Sequence, residues 1–169
     1  MPKKAPRPIF VMGGVGYVPL SQDLYALVDP ADIPLVASWV WSARRKTRNI
    51  YAVRNDKSGS KARTVSLHMH ILPPTPGYVV DHVNGNSLDN RRANLRYATN
   101  QQNLANAPVR KDNTTGFKGV SRLPSGRYRA TIRKDKKLHL LGIFDTPEAA
   151  NAAYYAAAER LYGEFARAK

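Results

Sequence analysis

The 169-residue chain predicts an α+β fold built as two units, on three observations. Short β-like runs, broken by glycines and basic turns, fill residues 9–70. A period-two segment, Arg127 to Arg133, alternates basic with apolar residues and lies between two more strand-like runs. One long alanine-rich run, 147–162, carries the start and stop signals of a single helix.

Taken in order, the N-terminal segment MPKKAPRPIF is basic and is not followed by a long apolar region. A signal peptide and a membrane span are therefore not expected, and the expected setting is cytoplasmic, with no membrane partner. Gly13-Gly14 predicts a turn. Pro30-Ala31-Asp32 opens a short helix around Asp32–Val40. SWVWSARRKTRNIYAVRN reads as two strands around a basic turn, with Trp39, Trp41, Tyr51 and Val53 as core candidates. GSKARTVSLHMHIL reads as another strand, which would put His68 and His70 on one face. Asn84-Gly85 is a turn signal. Thr99 caps a helix that begins at Asn100, so the order here is strand, loop, strand, helix. Residues 107–116 lack periodicity and read as a linker.

The second unit follows. FKGVSR, GRYRATIRKD and LHLLGIF are three strands joined by hairpin loops. In the middle one Arg127, Arg129, Thr131 and Arg133 share one face, and Tyr128, Ala130 and Ile132 share the other. Thr146, Pro147 and Glu148 suit the cap and first turn of a helix that stops at Gly163.

Hydrophobic residues form 43% of the chain, enough for a core, and 27 Lys+Arg against 12 Asp+Glu give a net charge of +15. The excess is shared: residues 1–109 hold 14 basic and 6 acidic side chains, and residues 110–169 hold 13 and 6. Such a balance points to a polyanionic partner, most often nucleic acid. A sheet with guanidinium groups pointing outward can enter a DNA major groove, so double-stranded DNA is the expected partner. There are no cysteines, which removes disulfides and thiolate metal sites and fits a reducing compartment.

Residues 114–163 resemble the APETALA2/ethylene-response-factor DNA-binding domain, through F-K-G-V, G-R-Y-R-A-T-I-R, L-G-I-F-D-T-P-E-A-A and the alanine-rich helix. The resemblance implies a sheet that enters the major groove. Its groove-facing positions fall on Lys118, Ser121, Arg127, Arg129, Thr131, Arg133, Leu138 and Leu140.

The chemistry concentrates in VVDHVNGNSLDNRRANLRYATNQQN, 79–103. Phosphodiester hydrolysis needs a base for water and an offset for charge on phosphate and leaving oxygen. Neutral histidine is the usual base near pH 7. Asp81 and Asn103 offer oxygens of the kind that magnesium accepts. Adjacent Asp81 and His82 point to opposite faces of one strand. Asn84 and Asn86 read as turn formers, and Asn90 and Asn100 stay unassigned. His68 and His70 are open between a second metal and a structural or phosphate-contact role, and Arg91, Arg92 and Arg96 between phosphate contact and a solvated loop.

This stretch, with M-H-I-L upstream, is similar to the phage-type, homing-like HNH endonucleases, a ββα-metal fold. The resemblance implies His82 as general base, Asn94 as the brace of the loop that orients it, and Asp81 and Asn103 as metal ligands. His70 falls on the family's M-H position. An amide in place of the last histidine, as in the homing branch, favours magnesium or manganese over zinc.

The combined expectation is a ββα-metal HNH nuclease unit with a β-rich N-terminal part, then a three-stranded antiparallel sheet packed on one helix. Its divisions are an endonuclease domain over 1–106 (β-rich 9–70, ββα-metal 70–106), a linker over 107–116 and an APETALA2-like domain over 117–169. The expected activity is magnesium-dependent nicking of DNA by a monomer or weak dimer, in a host cell cytoplasm if the chain is phage-encoded. The alternative is a DNA-binding regulator with an inactive HNH relic.

Overall fold

The computed structural model describes residues 5–167. Contacts divide the chain into two compact units, 1–98 and 99–169. The division falls before the helix that the sequence reading groups with the nuclease motif.

The first unit holds three small antiparallel sheets. Strands β1 (Phe10–Met12), β2 (Val15–Pro19) and β3 (Tyr25–Val28) form one, with Gly13-Gly14 at its first turn. A 3₁₀ turn at Pro30–Asp32 leads into α1 (Ile33–Val36), a shorter helix than the sequence suggests. Strands β4 (Ser42–Lys46), β5 (Asn49–Asp56) and β6 (Arg63–Ser66) form the second sheet. The third is the pair β7 (Val79–His82) and β8 (Leu95–Ala98). Val18, Leu20, Val28, Val36, Trp41, Leu67, Ile71, Val80 and Leu95 fuse them into one core.

Two expectations fail here. The run ending in LHMHIL is a strand only to Ser66 and then turns into α2 (Leu67–Ile71). Leu67 and Ile71, four apart, both enter the core, whereas Met69 between them is exposed, which is helical and not strand-like spacing. Trp39 is not core: its ring is exposed and lies over the buried Arg54 guanidinium, 3.8 Å from ring centre to Cζ, a cation–π contact.

The second unit starts with α3 (Asn100–Asn106). Thr99 caps it as expected, and Gln102 completes a reciprocal capping box. Strands β9 (Val120–Arg122), β10 (Tyr128–Lys134) and β11 (Lys137–Phe144) make the antiparallel sheet, with β10 central. Helix α4 (Pro147–Tyr162) covers one face, capped by Thr146 and ended by Gly163. Ala130, Ile132, Ala150, Ala157 and Ala158 meet in that contact, where small side chains allow close approach. A register shift between Ala130 and Thr131 lets Leu141 pack inward. Gly119 has φ +66, and a Cβ there would fall 2.3 Å from the Tyr154 ring and 2.4 Å from the Thr131 carbonyl. Only glycine fits that approach of chain to helix.

The outer face of the sheet matches the period-two reading. Arg129 stands opposite Ile143, Thr131 opposite Leu140, and Arg133 opposite Leu138. Leu138, Leu140 and Ile143 are exposed beside the arginines. Lys118 is not on this face: it is half-buried and its ammonium donates to the Ala105 carbonyl near the end of α3. Burial, with Arg167 nearby, pulls that ammonium down to about 8. No helix among the described residues is long and apolar enough to cross a membrane.

Candidate active site

Strand β7 delivers Asp81 and His82 to opposite sides, as alternation requires. Asp81 faces its cross-strand partner Arg96, whose Nε donates to Asp81 Oδ2 at 3.1 Å. Both side chains are largely buried, so the pair is shielded from solvent. His82, 7% exposed, turns into a pocket of polar side chains and rings. The His68 ring stands edge-on to it with centroids 5.0 Å apart, and the Tyr51 ring lies 6.4 Å away.

The loop between β7 and β8 is held by its own asparagines. Asn94, buried, accepts from the Asn84 amide nitrogen at 2.9 Å and donates through Nδ2 to the Asp89 carbonyl at 2.7 Å. Its own carbonyl accepts from the Val83 N–H. One residue thus ties the start, middle and end of the loop. Asn84 and Asn86 each accept from the backbone two residues on, as turn formers do. Gly85, with φ 74, takes the conformation that the sharp turn after His82 demands. Neighbouring elements fix the loop from outside. Leu27 of β3 exchanges hydrogen bonds with Leu88 and Asn90, and the Ser87 hydroxyl donates to the Ile50 carbonyl of β5.

Asn90, which the sequence left unassigned, touches His82. Its Oδ1 lies 3.4 Å from His82 Nε2, long for a hydrogen bond. Asn90 Nδ2 donates to the Leu88 carbonyl at 3.0 Å, so the amide cannot be flipped and its oxygen must face the ring. An acceptor beside Nε2 favours the tautomer that carries its proton on that nitrogen.

The two histidines of α2 part company. Two residues on a helix point to nearly opposite sides: His68 faces His82, whereas His70 lies 3.2 Å from the Leu35 carbonyl and packs near Trp39 and Trp41. His70 is therefore away from the His82 ring, and His68 is beside it. The helical spacing of Leu67 and Ile71 is the one signal in the sequence that separates them.

Three arginines singled out for phosphate contact are held by carboxylates. Arg91 bonds Asp89 at 2.8 and 2.7 Å, Arg92 forks onto Asp32 at 2.8–3.1 Å, and Arg96 pairs with Asp81. Each pairing ties down an element of the loop, while the Arg91 and Arg92 side chains stay 40% and 56% exposed and Arg96 is 12% exposed. Of the sheet cations in the second unit, Arg127 pairs with Asp145 at 2.8 Å in an exposed setting and Arg133 donates to the Lys136 carbonyl.

Burial pushes His82 below its ordinary value, against the Asn90 contact and the charges of Asp81 and Asp89, which pull it up. His68 is pushed further, from 6.5 to about 3, by burial and then by His82. Both rings are neutral at pH 7. The sign of the stability effect follows. An unfolded histidine takes up its proton near 6.5 and these folded ones resist it, so stability is full above that pH and falls as pH drops through the window from 6.5 towards 3. The slope is at most about 1.4 kcal/mol per pH unit for each ring. Asp89, held below its usual 3.8 by Arg91, adds its loss only in stronger acid. Urea unfolding between pH 5 and 8 should show stability declining below pH 6.5 in the wild type and a flatter profile in His68→Phe. Identical profiles would contradict the buried, neutral ring.

Among the described residues no three His, Cys, Asp or Glu side chains gather to hold a metal ion. The two oxygens expected to take a metal, the Asp81 carboxylate in β7 and the Asn103 amide in α3, belong to different units, and the Asp81 carboxylate is engaged by Arg96.

The HNH endonuclease family profile matches residues 70–105, which begin at His70 and span His82, Asn94 and Asn103. An uncharacterised HNH endonuclease of Acanthamoeba polyphaga mimivirus is 30% identical over 161 residues, covering 93% of this chain and 82% of its own. Protein 3.8 of Escherichia phage T7 is 35% identical over 96 residues, 56% of this chain and 78% of its own. The Arabidopsis thaliana ethylene-responsive transcription factor ERF084 is 50% identical over 56 residues, 32% of this chain but 22% of its own. No solved structure matches the chain. A near full-length viral relative and a profile match centred on the His82 loop agree, and the chain belongs to the HNH endonuclease family, which makes it a phosphodiester hydrolase.

Proposed function

We propose that the protein is a metal-dependent DNA endonuclease that nicks one strand per encounter, with His82 as general base. The observation that supports this reading is the setting of His82: buried, neutral, and facing the Asn90 amide oxygen within the asparagine-held loop. The neutral His82 ring takes the proton of the attacking water as the water oxygen bonds to phosphorus. The bond to the 3′-oxygen breaks and that oxygen takes a proton from solvent water, leaving a 3′-hydroxyl and a 5′-phosphate. Asn94 keeps the loop closed so that the ring does not rotate. A divalent cation, for which Asp81 and Asn103 are the proposed ligands, offsets charge on the phosphate and leaving oxygen when bound. Magnesium is the proposed ion, with manganese as a substitute.

Binding is assigned to the outer face of β9–β11. Arg129, Arg133 and Thr131 present donors there, and Arg127 joins them by exchanging its exposed Asp145 pair for phosphate, an exchange of little cost. The short identity to an ethylene-responsive factor supports an APETALA2-like domain over 117–169. A basic sheet face with interspersed apolar side chains suits a major groove. Supercoiled plasmid incubated with protein and magnesium should relax to the nicked circle. Chelator should stop the reaction and fresh magnesium or manganese restore it. Undiminished nicking in chelator would end the metal-dependent reading.

A further inference from the structure

The arginines nearest His82 in sequence are engaged with carboxylates, yet a nuclease unit must still grip the phosphates that flank its cut. The β4–β5 hairpin carries Arg44, Arg45 and Lys46 on exposed positions. Residues 33–55 contain no Asp or Glu and five Lys+Arg. Among the described residues no carboxylate lies within ion-pair distance of Arg44, Arg45 or Lys46, and all three are exposed.

The register decides which of them face the active site. Directly opposed residues of an antiparallel pair project to the same side. Arg44 is opposite Tyr51, and Lys46 is opposite Asn49. The Tyr51 ring is the one that approaches His68 and His82, at 5.6 and 6.4 Å, and Asn49 Nδ2 reaches the Tyr51 hydroxyl. Arg44 and Lys46 therefore extend the His82 side of the hairpin outward, while Arg45, opposite Ile50, points to the other side. Arg44 is steadied by a bond from Nη1 to Thr64 Oγ1 of β6 at 2.9 Å. The Ser87 bond to Ile50 locks hairpin and catalytic loop together within the same unit.

We infer that the His82-facing side of the β4–β5 hairpin, Arg44 and Lys46 leading in to Asn49 and Tyr51, is a phosphate-binding track that holds the strand being cut in duplex DNA. It rests on the endonuclease reading for its position beside the scissile phosphate, and on charge and register for its ability to bind. Arg44 and Lys46 grip two phosphates on one side of the cut. Tyr51 marks the inner end of the track, where the strand meets His82. This separates the labour of the chain: the second unit's sheet supplies most of the affinity, and the hairpin places the scissile bond.

The test uses the full chain and a charge-matched pair of variants. Arg44→Gln/Lys46→Gln removes two charges from the track. Arg45→Gln/Lys57→Gln removes two exposed charges off it. Binding of a duplex DNA is followed against salt, and plasmid nicking under single-turnover conditions is measured in parallel. Losing two phosphate contacts should flatten the slope of log K against log salt by about 1.8 in the track variant. Its cutting rate should fall about tenfold or more through lost positioning. The off-track variant should keep both values near wild type. Equal slopes in the two variants would overturn the track. A flattened slope with unchanged cutting would remove it from the scissile phosphate. Should the wild type bind and not cut, the endonuclease reading fails, and the salt slopes still decide whether the hairpin binds phosphate.

Discussion

His82→Ala is expected to abolish strand cleavage and leave DNA binding in place. Loss of a general base lowers rate by about 10²–10⁴, which takes a plasmid-nicking signal to background. Most of the affinity is assigned to the sheet of the second unit, so duplex binding should stay within about threefold, a change well under 1 kcal/mol. The ring is buried against His68, so the substitution also leaves a small cavity and costs some stability. Added imidazole separates the two effects. A missing base is partly replaced by imidazole from solution, and a damaged fold is not. Nicking by His82→Ala at the wild-type rate would remove His82 from the chemistry.

Asn94 variants are expected to show the opposite pattern, losing cutting and stability together. Asn94→Ala strips partners from the Asn84 N–H and the Asp89 carbonyl, both of which it now satisfies. The Asp89 carbonyl is buried and the Asn84 N–H only partly so. One buried polar group without a partner costs about 1–3 kcal/mol, and a loss of that order is expected in urea unfolding. Asn94→Asp is the sharper probe. It keeps an acceptor for Asn84 but sets a carboxylate oxygen against the Asp89 carbonyl, where a donor stood. The loop should open in both variants, His82 should lose its place against Asn90, and imidazole should not rescue cutting. A rescued or fully active Asn94→Asp would mean that the loop is held by other bonds. Several exist, among them Leu27 with Leu88 and Asn90, and Arg91 with Asp89, so this pair of variants measures how much of the closure Asn94 itself provides.

Much of the molecule could be read from local chemistry. The capping box at Thr99, the turns at Asn84 and Asn86, the start of α4 at Thr146 and its end at Gly163 depend on neighbours in sequence, and each stands where the residues place it. The alternation of Arg129, Thr131 and Arg133 with Ala130 and Ile132 likewise needs only the period of a strand. The likeness of the 79–103 stretch to HNH endonucleases belonged to the sequence as well.

Tertiary structure decided what those residues touch. LHMHIL is apolar enough for strand or helix, and only packing of both Leu67 and Ile71 into the core selects the helix. That choice turns His68 towards His82 and His70 away. Arg91, Arg92 and Arg96 look alike as a basic run, but Asp89, Asp32 and Asp81 engage them one by one, two through contacts invisible to local spacing. Asn90 shows the same limit: it is one more loop asparagine in sequence, and in the fold it faces the Nε2 of His82. Periodicity and caps are short-range and therefore legible in the chain. Ion pairing and the orientation of a histidine depend on partners brought in from elsewhere in the fold, so the sequence alone determined the caps, the turns and the likeness to the family, and the folded structure determined which cations meet carboxylates and which histidine stands beside His82.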